Sequence, residues 1–160
     1  LSGKLSVKEI DHLQIKWPND ILFKWKKLSG ILIESVLPEG IYIIGIGLNC
    51  NQNNFPEELN AVSLKQIMGS EINITNLLID IISEFSVNFH DLQNKNFGKI
   101  FNYWKNSTKI IGKDCDFQVD QDTIKHGKIN DLNADGSISI DYMGKIVSYF
   151  SGDIKLTGIK

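Results

Sequence analysis

Arginine does not occur in this 160-residue chain, so all 17 of its basic residues are lysines. That excludes a planar guanidinium fork on a phosphate or carboxylate and leaves cationic contacts to the compact ammonium of lysine. Long apolar runs are also missing. No stretch approaches the roughly 18 apolar residues of a membrane span, and no signal-peptide pattern opens the chain. Cysteine is scarce. Cys50 and Cys115 lie in different segments without CxxC or metal-ligand spacing, which predicts two reduced thiols and a cytoplasmic setting. A net charge of -2 lacks the clustered positive charge of a nucleic-acid footprint. His12, His90 and His126 are scattered, and no G-x-S-x-G, Walker or dinucleotide fingerprint occurs. Neither a triad nor a metal site is expected.

What is there fits an ordinary globular core, with 42 % apolar residues. The length suits one domain, or a medium and a very small one. The chain opens on Leu1 rather than Met, and its first ten residues hold no complete element. It is therefore expected to be the C-terminal part of a longer polypeptide.

The first segment reads as strands. Gln14–Trp17 is short and extended, since Trp17 precedes a proline. Ile21–Trp25 and Ser29–Val36 are rich in Ile and Leu between polar turns. Leu37-Pro38-Glu39-Gly40 has the Pro and Gly positions of a type I turn, predicting an antiparallel hairpin to Ile41–Asn49. On that last strand Ile41, Ile43, Gly45, Gly47 and Asn49 share a face. Glycines weaken a strand interior, so two on one face point to a backbone or ligand pressed against it. An Asn-rich surface loop follows, from Cys50 to Leu59. Ser63–Met68 forms a short helix candidate. Thr75 is the expected N-cap of a longer helix to about Leu92, with a stripe of Leu77, Leu78, Ile81, Ile82, Phe85 and Phe89. Phe97, Ile100, Phe101 and Trp104 repeat that spacing. Core packing is the expected role of both stripes.

Beyond Gly112 the period returns to two. Cys115, Phe117 and Val119 alternate with Asp116, Gln118 and Asp120. Thr123–Leu132 and Ser137–Tyr142 flank the turn Ala134-Asp135-Gly136. A further turn at Met143-Gly144-Lys145 leads to Ile146–Phe150, and Ile154–Leu156 closes the set. Short strands so densely spaced predict a small antiparallel barrel. The expected architecture is α+β: residues 1–111 an incomplete mixed sheet with helices packed on it, and residues 112–160 a small β-barrel. Asp131, Asn133, Asp135 and Gly136 faintly echo a calcium loop, but their spacing reads as a hairpin turn.

Few residues remain as candidates for chemistry. Lys27 follows Lys24 and Lys26; as solvated charges around a turn all three need no explanation. Its place directly before Leu28-Ser29-Gly30 would also let it lean over a cleared sheet face and neutralise a carboxylate or phosphate oxygen. Asn49 either bonds its own backbone at the strand end or offers an amide to a phosphate or its metal ion. Asn19 and Asp20, after Pro18, make an ordinary surface turn. A carboxylate there could equally orient an incoming amine or take its proton.

Taken in order, Lys16-Trp17-Pro18-Asn19-Asp20, Lys27-Leu28-Ser29-Gly30-Ile31-Leu32-Ile33-Glu34 and Gly45-Ile46-Gly47-Leu48-Asn49 resemble three motifs of biotin protein ligases. The tail, from Gly127 through Ser151-Gly152-Asp153-Ile154-Lys155-Leu156, is similar to that family's SH3-like C-terminal domain. The likeness runs from about Gln14 to Leu156. It implies that biotin and ATP, with Mg2+, form biotinyl-5'-adenylate, whose acyl group passes to a lysine of a biotin carboxyl carrier protein such as that of acetyl-CoA carboxylase. By the same resemblance Lys27 contacts the biotin carboxylate and the adenylate, and Asp20 orients the acceptor lysine. Asn49 contacts the nucleotide, with Asn19 beside it in the motif. Gly30 and Gly45 line the biotin slot. The family's Arg-Gly loop has no counterpart in this sequence, so the chain alone is expected to be inactive in adenylate formation. Two rivals stand: a lipoate–protein ligase or transferase, and a non-catalytic remnant used for docking or dimerisation. A homodimer is a further expectation; a membrane partner, or nucleic acid bound through this chain, is not expected.

Overall fold

The computed structural model describes residues 10–36, 38–119 and 123–159. Two compact units divide it, Leu1–Ile100 and Phe101–Lys160. The division falls upstream of Gly112, inside a helix.

The first unit is built on a meander of four strands, β1 (Leu13–Lys16), β2 (Asp20–Phe23), β3 (Lys26–Val36) and β4 (Ile41–Leu48), adjacent in that order. Every named pair is antiparallel. The expected mixed sheet is thus antiparallel in its strands, and parallel pairing among the described residues is confined to one bridge, Lys27 to Ala61. The predicted hairpin forms, with Ser29 opposite Leu48 and Val36 opposite Ile41. Gly40 takes a positive φ of 67° in its turn, as an L side chain rarely can; Leu37 lies outside the described residues.

Strand β3 starts earlier than its sequence suggests, at Lys26. The connection from β2 is the two-residue pair Lys24–Trp25, at φ 48° and 65°. Left-handed values at both positions match the right-handed twist of a hairpin, but the Asn-Gly signal of such turns is missing, which hid it. One residue further on, the register slips: Ile21 faces Ser29 and Leu22 faces Lys27, so Leu28 is the extra residue of a β-bulge. Leu28 is fully buried and joins Leu64, Ile72 and Leu77 in the core of this unit.

Three helices follow. Helix α1 (Leu64–Met68) carries a complete capping box, Ser63 with Gln66, and stops at Gly69 in the left-handed region. Helix α2 (Ile74–Gln93) is capped by Asn73, whose side chain accepts from the Asn76 amide, rather than by Thr75. Asn73 lies where the chain is still extended, so its carboxamide can reach back to the first free N–H groups. Helix α3 spans Phe97–Asn106. The core role expected of the apolar stripes is not met. In α2 only Leu77 is buried, while Leu78, Ile82, Phe85 and Phe89 stay exposed. A 20-residue helix is about 30 Å long and outruns the small Leu28–Leu64–Ile72 cluster, which takes Leu77 and part of Ile81. Phe97 and Ile100 of α3 are exposed as well.

The second unit is a five-stranded antiparallel sheet of β5 (Asp114–Gln118), β6 (Ile124–Leu132), β7 (Ile138–Tyr142), β8 (Lys145–Tyr149) and β9 (Lys155–Ile159), in the order β8-β7-β6-β5-β9. The predicted alternation appears in β5, where Cys115 and Phe117 are buried and Asp116 and Gln118 are not; Asp120 lies outside the described residues. The sheet curls. In a flat sheet β5 and β8 would stand about 14 Å apart across three strand spacings, yet the rings of Phe117 and Tyr149 meet at 5.7 Å. The described pairings do not close it into a barrel. The inner residues Phe117, Ile129, Leu132, Ile138 and Ile140 are all buried. Gly127 is closely covered: a Cβ there would lie 2.7 Å from Ile140 Cγ2 and 2.8 Å from the Asp141 carbonyl.

Candidate anion-binding cleft

The bulge at Leu28 decides where Lys27 points. Side chains three apart on a regular strand face opposite ways, but the extra residue brings Lys27 to the face of Gly30 and of its register partner Asp20. There Lys27 Nζ and Asp20 Oδ1 form an ion pair of 2.6 Å. The Lys27 side chain is half open to solvent, at 52 %, while that of Asp20 is 19 % exposed.

The main chain of Lys27 is held from three directions. Its N–H donates to the Asn60 carbonyl at 2.8 Å. Its carbonyl accepts from the Val62 N–H at 3.0 Å and from Asn49 Nδ2 at 3.2 Å. Only the side chain of Lys27 is left with freedom.

The Asn49 side chain bonds carbonyls 22 and 13 residues away rather than its own backbone. The amide donates to the Lys27 and Val62 carbonyls and stitches β3 to the segment that follows β4. Asn19 is a clamp of the same kind, its Nδ2 donating to the Ile31 carbonyl at 2.7 Å while its own carbonyl accepts from the Ile31 N–H.

A cleft of ≈ 390 Å³ opens at this point, with Lys27, Ser29, Gly30, Gly47 and Asn49 on one side and Phe55, Glu58 and Leu59 on the other. That is within the range of small-molecule sites, about 300–1,000 Å³. Of the residues singled out in the sequence, Lys27, Gly30 and Asn49 line it, and Asp20 reaches it through Lys27. Asn19 and Gly45 do not line it. Gly45 sits opposite Leu32, further along the hairpin, and Gly47, opposite Gly30, forms the floor. Nothing lies nearer than 3.7 Å to a Cβ built on Gly47. The opposite wall was not legible as part of a site. Its Asn-rich loop carries only surface signals, and the Asn60 backbone and side chain, which bond Lys27 and Trp25, bring it over the sheet. Burial pushes the Cys50 thiol, next to Asn49, above its usual range.

An ammonium over a side-chain-free floor, with the Asp20 carboxylate beside it and Phe55, Leu59 and the acidic Glu58 opposite, can take a small molecule whose acidic end lies at Lys27. Residues 6–51, which contain the floor and both charges, match the model of the Biotin/lipoate A/B protein ligase family. The chain is similar to the "Bifunctional ligase/repressor BirA" of Bacillus subtilis, 34 % identical over 89 % of this chain and 46 % of that protein. It is 28 % identical to the "Biotin--[acetyl-CoA-carboxylase] ligase" of Mycobacterium tuberculosis, over 88 % of this chain and 52 % of that one. The chain thus spans about half the length of the curated relatives it matches. Among solved structures, the apo biotin protein ligase of Aquifex aeolicus superposes with a TM-score of 0.77 at 29 % identity, covering 90 % of this chain and 64 % of that one. The same ligase in complex with biotin and ATP gives 0.75. In sequence and in fold the chain is thus similar to biotin protein ligases.

Proposed function

We propose that the protein serves an ATP-dependent biotin–protein ligase of the kind that modifies acetyl-CoA carboxylase. In the first step a biotin carboxylate oxygen attacks the α-phosphorus of ATP; a P–O bond forms, another breaks, and pyrophosphate leaves. In the second, a lysine amine attacks the acyl carbon of biotinyl-5'-adenylate. The C–N bond forms, AMP departs with the electron pair of the broken C–O bond, and the amine proton goes to a base. Lys27 is assigned to the biotin carboxylate and the adenylate phosphate. Asp20 is assigned to orient the acceptor amine and receive its proton. The acceptor is proposed to be a biotin carboxyl carrier protein, in the cytoplasm.

The observation that carries this reading is the Lys27–Asp20 pair over Gly30 at the mouth of the cleft. Its support is the agreement of that geometry with the names borne by the matched family, by two curated relatives and by a solved ligase holding biotin and ATP. Among the described residues no group of three or more His, Cys, Asp or Glu side chains gathers into a metal cage. Magnesium is proposed to enter with the nucleotide, on whose phosphates it would offset charge. No helix among the described residues is long and apolar enough to cross a membrane. The curled second sheet is proposed to be an SH3-like barrel, and self-association of the ligase is an open expectation.

Titration calorimetry with biotin and with lipoate tests the assignment. Biotin should bind, lipoate should not, and Lys27→Ala should weaken biotin by at least about tenfold, since a hydrogen bond to a charged group contributes about 1.5–3 kcal/mol. Equal binding of both acids would favour the lipoate branch of the family. Unchanged biotin affinity in Lys27→Ala would remove Lys27 from the site. Having no arginine, the 160 residues by themselves are expected to release little pyrophosphate from ATP and biotin.

A further inference from the structure

The Lys27 ammonium already has a carboxylate partner, and that partner is not a wall of the cleft. Three main-chain hydrogen bonds fix the backbone of Lys27, so its Nζ can change partners only by turning its own side chain. Gly30 lies directly beneath. A Cβ there would come within 3.2 Å of Asp20 Oδ1 and 3.3 Å of Lys27 Cε and Nζ, closer than side chains normally tolerate. The same glycine lines the cleft. One missing side chain thus seats the ion pair and also clears the path along which the ammonium would swing.

We propose that Asp20 is an internal stand-in for the ligand carboxylate, displaced from Lys27 when the ligand binds, and that Gly30 is the positioning residue for this exchange. The inference rests on the reading of the cleft as the carboxylate site. Ligand affinity then reflects the difference between two ion pairs made by one ammonium. Once the ligand holds Lys27, the Asp20 carboxylate is left without its cation beside the cleft, free to take the proton of an incoming amine. The base becomes available only after the acidic end of the substrate is in place, which orders the two steps.

Two measurements on the 160-residue chain test this. The first is the rate at which the Lys27 amine is acetylated by an N-hydroxysuccinimide ester, read by peptide mass spectrometry. Asp20→Asn should raise it about threefold, the scale of a partly exposed ion pair. Gly30→Ala, which changes no charge, should also raise it by splitting the pair. The double variant should be no faster than Asp20→Asn alone, because the methyl acts only through the pair. Unchanged labelling in both single variants, at unaltered unfolding midpoints, overturns the proposal, as does full additivity.

The second measurement is ligand binding. Biotin should bind Asp20→Asn about threefold more tightly than the parent. Biotin that binds the parent but no better to Asp20→Asn overturns the exchange and leaves the cleft assignment intact. If biotin binds neither, that assignment fails, and pentanoate becomes the probe. Slowing of Lys27 acetylation by pentanoate, more so in Asp20→Asn, would still support exchange, and its absence would overturn it.

Discussion

The two sheets are made by the same antiparallel rules and use their glycines in opposite ways. In the five-stranded sheet Gly127 is closed over by Ile140, Phe117 and the Asp141 backbone, and its missing side chain is what allows the curl. In the four-stranded sheet Gly47 has only the Gly30 carbonyl near it, at 3.7 Å, and its missing side chain leaves a cleft floor. Curvature brings the inner side chains of the second unit together until Phe117, Ile129 and Ile140 are wholly buried. The hairpin of β3 and β4 stays open, and Leu32, Ile33, Ile43 and Ile44 keep large exposed areas. A glycine that packing has filled serves stability, and one left open is free to serve a ligand.

The largest effect that would break this contrast is expected at Gly127. Gly127→Ala puts a methyl into contacts under 3 Å, one of them with backbone, and should destabilise the second unit by about 3 kcal/mol. Hydrogen exchange at the β5, β6 and β7 amides measures it. A loss below about 1 kcal/mol would mean that the curl relaxes freely and that Gly127 is not closed over by packing.

Gly47→Val probes the other side. The floor has room for a side chain, and a β-branched residue suits a strand, so urea unfolding should show a change within about 0.5 kcal/mol or a slight gain. Biotin binding should be lost. Retained binding would show that the ligand lies elsewhere than over Gly30 and Gly47.

A third test concerns the hairpin turns. Met143–Gly144 turns the second sheet at φ 54° and 77°, with glycine at one of its left-handed positions. Lys24–Trp25 makes the corresponding turn before Lys27 with no glycine. Replacing Lys24–Trp25 with Asn-Gly should stabilise the first unit by about 1 kcal/mol, read as a shift in its thermal midpoint.

The smallest effect is electrostatic. The Lys105 ammonium, 2.6 Å from Asp131, holds that carboxyl below its ordinary value of 3.8. A depressed folded-state pKa contributes stability above the unfolded value and loses it as pH falls through the folded one. Acidification below about pH 4 should therefore weaken the second unit. Asp131→Asn should flatten that slope, slightly, because the pair is partly exposed.

Much of the fold was legible in particular residues. The Pro38–Gly40 turn and the period of Ile41–Leu48 specify the hairpin and its register. Ser63 and Gln66 mark the start of α1, and Asp135-Gly136 marks a turn of the second sheet. The stripes of α2 and α3 misled, because periodicity reports which residues share a face and not whether anything covers it. In the site, Lys27, Asp20, Gly30 and Asn49 could be picked out by residue type and by resemblance. Asn49 and Asn19 proved to hold backbone, since a short amide bonds whatever carbonyl the fold brings near.

By itself the sequence determined the chemistry available: lysine as the cation offered to a phosphate or carboxylate, glycine where a sheet face must be bare, and strands and helices in their order along the chain. Tertiary structure alone decided that Lys27 and Asp20 meet. Their encounter depends on the one-residue slip at Leu28, which reverses the facing of Lys27, and on the loop carbonyl of Asn60, which fixes its backbone. Neither leaves a local mark, because a bulge is chosen by which side chain the core needs, here Leu28, and the core is assembled from residues far apart in the chain.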